Sequence, residues 1–410
     1  MKKEKIITAL DVGTSKICAL VAGIDSEGSI KLMAGKLIAS KGISNGLIED
    51  LSEVSDSINR ALSEVEKAGQ AEIYSVIVNI NGPHIRSRNN QAMLKLPGLE
   101  RKIKHNDIKK VTEVAASIPL GMSEKVLRVI PGRYTVDDQN GIKNPLRMTG
   151  SRLGVSVHLV TGSALQVQNM TVAVNQAGYE IEDIVPEPLA CSYALLTEKE
   201  KEIGVILVNI GAATTDVIVF IEGYPVHTEI VPLGGEGLTR VVSSLLKTSP
   251  EDAETIKKRY GSVFTSRLRD HSPIMVPGIN QQPSRNVSLS FLSQLIMPYT
   301  SEMIAEISKR IEASGYKEKT ASGVVVTGGG TLLEGIVEMM ERMLNLPVRM
   351  GCCSGIYADA GIISNPVYTT ALGLVKYGMG RSNVKSHWYY DKGIFSKIIS
   401  PVRSFIEEYF

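Results

Sequence analysis

Two short turns carry the residue types from which a phosphate site can be built. In IITALDVGTSKICALVAG (residues 6–23), Gly13, Thr14 and Ser15 lie between two apolar runs, with Asp11 ending the first and Lys16 opening the second. A turn of this kind points its backbone amides outward, and glycine lets a phosphate come close. Lys16 would add positive charge to the phosphates, and Asp11 would hold a hydrated Mg²⁺. Alone, such a turn is equally an ordinary hairpin. A second copy, GVILVNIGAATTDVIVF (204–220), repeats the grammar around residues 211–216, with Asn209 just before the turn. Two such hairpins facing each other can grip a polyphosphate from both sides. A third segment, VVVTGGGT (324–331), supplies Gly328, Gly329 and Gly330, along which backbone can lie flat against a nucleoside. The three segments together, in this order, predict nucleotide binding.

The elements that would position these turns follow from hydrophobic patterning. Each apolar–turn–apolar copy reads as a β-hairpin opening an α/β domain. Leu51, Val54, Ile58, Leu62 and Val65 share one helical face across 51–68, and YSVIVNI (74–80) reads as a strand. Helices are expected over 163–178 and 332–344, strands over 181–186 and 323–327, and a helix over 287–315 broken near Pro298. Between residues 83 and 161 the texture turns polar and basic, including 102–110, as expected of an inserted subdomain; a second polar region, 248–285, carries four prolines. At 410 residues the chain suggests about two to four domains. Hydrophobic residues at 43% exclude wholesale disorder, and 45 Lys and Arg against 43 Asp and Glu give no global reason to expect nucleic acid as partner. Cys18, Cys191, Cys352 and Cys353 lack zinc spacing and read as reduced thiols. The charged start, MKKEKIITAL, lacks the marks of a signal peptide, and no apolar run is long enough to span a bilayer. The expected residence is cytoplasmic.

With these motifs in place, the sequence resembles the actin-like ATPase superfamily and, within it, the FtsA family of bacterial cell-division proteins, over nearly its whole length. ALDVGTSKICALV is similar to the first phosphate loop, VNIGAATTDVIVF to the second and VVVTGGGTLLEGI, which includes Leu332, to the adenosine-contacting loop. VPEPLACSYALL (185–196) and NPVYTTALGLVKYG (365–378) resemble the two helices that connect the halves, and residues 128–131 and GIKNP (141–145) resemble the FtsA-type insertion. The resemblance implies a duplicated α/β actin-like fold with an inserted α+β subdomain in the first half and a C-terminal amphipathic helix. The implied division is a first domain 1–83 (continued by 162–190 and 365–380), an insertion 84–161, a second domain 191–235 (continued by 319–364), its subdomain 236–318, a linker 381–392 and a membrane helix 393–410. It makes Asp11 the metal-water carboxylate, residues 13–16 and 211–215 (Gly211, Ala212, Ala213, Thr214 and Thr215) the two phosphate cradles, and Glu187 the group that orients the attacking water. Glu187 reads equally as a surface residue opening a helix before Pro188. Lys257 is implied in the adenine pocket, with Gly235 and Glu236 near the ribose.

The chain departs from the superfamily where an aspartate is usual in the second loop: it has Asn209, and Ala212 and Ala213 replace glycines. One metal-organising charge is then missing and the turn is narrowed, so the expectation is ATP binding with very slow or no hydrolysis. At the C-terminus, Ile394, Phe395, Ile398, Ile399, Val402, Phe405, Ile406, Tyr409 and Phe410 recur every three or four residues on one apolar face. FtsA proteins end in such a membrane-targeting helix; the other reading is a helix docked on the protein itself. Pro401 should kink it, and Lys397 and Arg403 face Glu407 and Glu408, so its attraction to anionic lipid is small. The resemblance also implies a subdomain (237–314) that binds the C-terminal tail of the tubulin-like FtsZ, with Arg285 and Lys309 as candidate contacts, although Met297, Pro298 and Tyr299 depart from the common pattern. The expected function is an ATP-binding, self-assembling tether of the division ring to the cytoplasmic membrane face, with FtsZ, lipids, other copies and downstream division proteins as partners. A small-molecule kinase on the same fold is the rival, and a chaperone-like or pilus-assembly relative a third reading.

Overall fold

The computed structural model describes residues 5–382 apart from 26–27, 99–100, 265–272 and 280–281. The expected membrane helix at 393–410, with all nine of its apolar residues, lies outside the described residues, as does most of the linker. The helix Thr369–Ser382 continues two residues past the expected start of that linker.

Both predicted hairpins form, and each nucleates the same sheet pattern. Lys5–Val12 pairs antiparallel with Lys16–Ile24, which pairs antiparallel with Ile30–Ala39; on its other side Lys5–Val12 runs parallel to Ser75–Ile80, which lies beside Glu180–Pro186. In the second half Val205–Ile210 pairs with Thr215–Ile221 and that strand with Tyr224–Val231, while the parallel neighbours are Val324–Thr327 and then Val348–Met350. A sixth strand, Ile356–Tyr357, falls within the segment expected in the second half but adds to the outer edge of the first sheet. The central strands are apolar on both faces, which is what sheets covered by helices on both sides require; Ile17 to Ala22 are all buried.

The helix Leu51–Gly69 covers one face of the first sheet with Val54, Ile58, Leu62 and Val65, and Asp50 caps its start by accepting from the Glu53 amide. Between the halves, Glu187–Leu195 and Thr369–Ser382 share one core with both sheets. They cross closely because position 373 is glycine: a Cβ there would stand 1.9 Å from the Ala190 carbonyl oxygen.

The insertion is a four-stranded antiparallel sheet, in the order Gln139–Ile142, Glu124–Val136, Arg152–Ser163 and Arg86–Lys95, packed on the helix His105–Ala116 around its own apolar core. One expectation is corrected. The helix Leu289–Ala313 runs unbroken through Pro298. Proline removes one backbone donor, but here both Pro298 and the residue four earlier, Gln294, face solvent, so water can satisfy the freed carbonyl. The polar region 248–285 also contains a helix, Pro250–Tyr260, which Ser249 caps by accepting from the Asp252 amide. Pro250 starts that helix because the first helical position needs no amide donor.

A buried polar node fastens the insertion to the rest. The Arg128 guanidinium donates to Asp183 at 2.8 Å and to the Tyr377 hydroxyl at 3.0 Å, and Tyr377 donates to Asp183 at 2.6 Å. It thereby joins three elements: an insertion strand, the edge strand of the first sheet and the last long helix. Removing one partner of a buried pair strands the other, so Arg128→Met or Asp183→Ala should each destabilise the fold by about 3–5 kcal/mol. Urea midpoints equal to that of the parent chain would contradict this.

Candidate functional site

The two turns are closed by the same bond. The Gly13 amide donates to the Lys16 carbonyl at 2.9 Å, and the Gly211 amide donates to the Thr214 carbonyl at 2.8 Å. The turns face each other across a cleft lined by residues 11–16 and 211–214, with Glu187 on its floor and Ile43, Ile48, Asn81, His84, Gln166 and Met170 on its walls. At its edge the Lys16 ammonium pairs with Asp11, whose side chain is only 2% exposed. Burial disfavours the Lys16 charge, but the Asp11 carboxylate outweighs that cost and holds the lysine above its ordinary pKa.

Beneath the turns runs a chain of amides and carboxylates that joins the two halves. The Asn79 side-chain amide donates to Asp11 at 3.0 Å and to Glu187 at 3.0 Å, while its own oxygen accepts from the Val12 amide at 2.7 Å. Asn209 donates to Glu187 at 2.9 Å and to Asp216 at 2.9 Å. Asn81 donates to Asp216 at 3.0 Å and to Thr214 at 3.2 Å, and Thr370 donates to Glu187 at 3.1 Å. Burial raises the Glu187 pKa, and the nearby Asp11 charge adds to that rise. Asp216 is raised well above the usual carboxylate value, again by burial first and then by Glu187.

Position 209 itself carries no charge. Asn209 and Asp216 are directly opposed in the hairpin ladder, so a carboxylate stands one strand away from where the aspartate is usual. Among the described residues, no group of three or more His, Cys, Asp or Glu is spaced to hold a metal ion.

Other expected site residues sit behind the cleft. The Gly235 and Glu236 amides donate to the Gly211 and Ala212 carbonyls at 3.0 and 2.8 Å, bracing the second turn. The Lys257 amine donates to the Gly235 carbonyl at 2.9 Å and pairs with Glu254 at 2.6 Å, and burial lowers its pKa. Thr215 is fully buried and donates to the Leu233 carbonyl at 2.8 Å. Gly328, at φ +89°, packs on the second hairpin, where a Cβ would lie 2.4 Å from the Asn209 side-chain oxygen. Gly330 packs against Ile210, Gly329 is exposed, and Leu332 is 59% exposed. The glycines open a short 3₁₀ turn, Gly329–Leu332, and the α-helix starts only at Ile336–Leu344.

In the second-half subdomain, Arg285 is exposed with its guanidinium donating to the Leu246 carbonyl, and Lys309 is exposed on the long helix. Exposed Leu245, Met275 and Phe291 lie on the elements around Arg285. No helix among the described residues is long and apolar enough to cross a membrane.

Sequence reading missed Asn79, Asn81, Asp216 and Thr370. The first two were visible as polar residues interrupting the apolar run VIVNING, and Asp216 as an acid among β-branched residues after the second turn. Nothing in the pattern said that they converge.

Twin hairpin-led sheets, a cleft between their turns and two crossing helices define the actin-like ATPase fold. Solved structures agree. The chain superposes with a TM-score of 0.67 on the PilM–PilN type IV pilus biogenesis complex, at 16% identity over 91% of this chain and 98% of that one. On ADP-bound MreB5 of Spiroplasma citri the TM-score is 0.57, at 13% identity over 93% and 99%. Within that fold, the family model described as "Cell division protein FtsA" matches residues 206–373, and "SHS2 domain inserted in FTSA" matches 82–161. The chain is 34% identical to cell division protein FtsA of Pseudomonas aeruginosa over 93% of its own length and 91% of the relative's, and 31% identical to that of Escherichia coli K12 over 98% and 96%. It belongs to the FtsA family of cell-division proteins.

The raised carboxyl groups fix a sign for pH dependence. A carboxyl whose folded pKa exceeds its unfolded value, about 4, stabilises the fold most at low pH and loses that contribution as pH rises toward the folded value. Glu187→Gln removes one such ionisation. In nucleotide-free thermal melts, the variant should therefore gain on the parent chain as pH is raised from acid to neutral, and a flat difference would count against the raised Glu187.

Proposed function

We propose that this chain binds ATP in the cleft between its two turns and, in that state, assembles on the cytoplasmic membrane face as a tether for FtsZ. The observation that carries the reading is the pair of identically closed turns facing each other, with Lys16 at the rim and Glu187 on the floor. Backbone amides at glycine-containing turns together with one lysine suit a polyphosphate, and Asp11 is placed to take the water shell of Mg²⁺. Fold neighbours support the nucleotide: MreB5 of Spiroplasma citri was solved bound to ADP and to AMPPNP. MamK, solved as a double helical filament, supports self-assembly with a TM-score of 0.51.

The nucleotide would act mainly as an assembly cofactor with slow turnover. Three donors tie the Glu187 carboxylate, from Asn79, Asn209 and Thr370, and this constrains its freedom to follow an attacking water. The FtsZ tail would dock on the second-half subdomain near Arg285 and Lys309, where exposed apolar residues could receive the apolar part of that peptide. The apolar face of residues 393–410 would supply the membrane anchor.

Calorimetry with MgATP tests the first step. A charge-assisted hydrogen bond contributes about 1.5–3 kcal/mol, so Lys16→Ala should weaken binding roughly 10- to 100-fold; no heat from the parent chain would overturn the reading. Deleting residues 393–410 should abolish co-sedimentation with vesicles, and unchanged sedimentation would remove the anchor assignment.

A further inference from the structure

The insertion has a charge that the whole chain conceals. Residues 82–161 contain 14 Lys and Arg against six Asp and Glu, a formal +8, whereas the chain totals +2, so the remainder carries −6. Six of these cations gather at one end. The strands Arg86–Lys95 and Arg152–Ser163 leave the nucleotide domain at residues 86 and 163, and their far ends place Lys95 directly opposite Arg152. Directly opposed side chains of an antiparallel pair share a face, and like charges there are destabilising. Beside them, Arg101–Lys102 pairs with Thr149–Gly150, and the Arg147 amide donates to the Ile103 carbonyl at 3.0 Å. Lys95, Arg101, Lys102, Lys104, Arg147 and Arg152 are thus gathered at the insertion's tip.

Among the described residues, the three acids at this tip are already engaged. Asp107 takes Arg101 at 2.6 Å, Asp138 takes Arg152 at 2.8 Å, and Asp137 accepts the Ser151 and Arg152 amides, both at 2.9 Å. Among the described residues, Lys95, Lys102, Lys104 and Arg147 are left exposed with no ion pair. A cluster of exposed cations without an ion pair fits an extended anionic partner.

The end of the last described helix and the length of chain beyond it select which partner. The last described helix, Thr369–Ser382, touches the root of the insertion through Tyr377 and Arg128. Ten residues, 383–392, then precede the apolar segment, and extended they reach at most about 35 Å. Arg128 pairs with Val160, eight residues along the strand from Arg152, which at about 3.3 Å per residue sets the tip roughly 26 Å from that root. The anchor and the tip can therefore meet the same surface. The anchor's own charges balance, Lys397 and Arg403 against Glu407 and Glu408, so it has little means of distinguishing anionic from neutral lipid.

We propose that the tip of the insertion is a lipid-facing surface that binds anionic headgroups, so that the apolar tail supplies insertion and the tip supplies lipid selectivity. This rests on the membrane reading above. Each basic residue near an anionic bilayer contributes about fivefold in binding, the effect is screened by salt, and two attachments on one chain reinforce each other.

The test uses the full chain with two kinds of vesicle, pure phosphatidylcholine and equal parts phosphatidylcholine and phosphatidylglycerol. The parent chain should prefer the mixed vesicles by about tenfold or more at low salt, and added salt should erase the preference. Lys95→Ala, Lys102→Ala, Lys104→Ala and Arg147→Ala combined should lose it while binding neutral vesicles as before, which also reports intact folding. Equal binding of both vesicles by the parent, or a preference retained in the variant, would overturn the tip assignment while leaving the tether standing. Binding to neither vesicle would instead fail the tether itself. Poly-glutamate binding that vanishes in the variant, with vesicle binding untouched, would reassign the tip to an acidic polypeptide.

Discussion

Three carboxylates sit within hydrogen-bonding reach of two asparagine amides, and this is the constraint around which the two halves are arranged. Asn79 divides its two amide protons between Asp11 and Glu187, and Asn209 divides its pair between Glu187 and Asp216. Unpaired buried acids repel one another and incur a desolvation cost. Neutral donors shared among the carboxylates, two protons to Glu187 and one each to Asp11 and Asp216, reduce both penalties without adding a charge that water would have to solvate. An aspartate at 209 would remove two donors and add a fourth acid to this cluster. The departure from the usual second-loop residue is thus a consequence of what surrounds it, namely Glu187 below and Asp216 across the ladder.

The same chain of bonds explains why residues far apart in sequence are ordered together. Asn79 lies near the end of a strand of the first sheet, Glu187 opens a helix that crosses between the halves, and Asn209 lies near the end and Asp216 near the start of paired strands of the second sheet. Thr370 brings in the other crossing helix, which seven residues later, about 10 Å along its axis, reaches the Arg128–Asp183 node at the root of the insertion. One rigid helix therefore contacts both the floor of the cleft and the base of the inserted sheet. Close packing at Gly373 against Ala190 fixes it to its partner helix, and packed interiors transmit such displacements with little loss.

What could be read from the sequence was what is local or periodic. The hairpins, the helix Leu51–Gly69 and the strand Ser75–Ile80 follow from apolar period and turn chemistry, which act over a few residues. The failures share a cause. Pro298 lies in a helix whose exposed side tolerates the missing bond, whereas Pro250 starts a helix, because proline's effect depends on position within the element. Of the triple-glycine segment, Gly328 and Gly330 pack on the second hairpin, a contact set by tertiary structure. Asn79 and Asn81 looked like minor interruptions of a strand; only the pairing of Glu180–Pro186 with that strand, and the helix that follows it, bring Glu187 to them.

The charge of the cluster also bears on how a nucleotide would enter it. Three carboxylates and the single ammonium of Lys16 leave the floor of the cleft formally −2 when all are ionised, an unfavourable neighbour for a polyphosphate. Two routes reduce the repulsion. The raised affinity of Glu187 and Asp216 for protons means that one can be taken up with the ligand, and a divalent cation arriving with the phosphates would take over Asp11 from Lys16 and free the ammonium to turn to the phosphates. In the second route the lysine would hold the place of the cation beside Asp11, an almost fully buried acid. On the proposed ATP reading, then, a cation or a proton accompanies the nucleotide, because the protein's own fixed charges are insufficient to receive it.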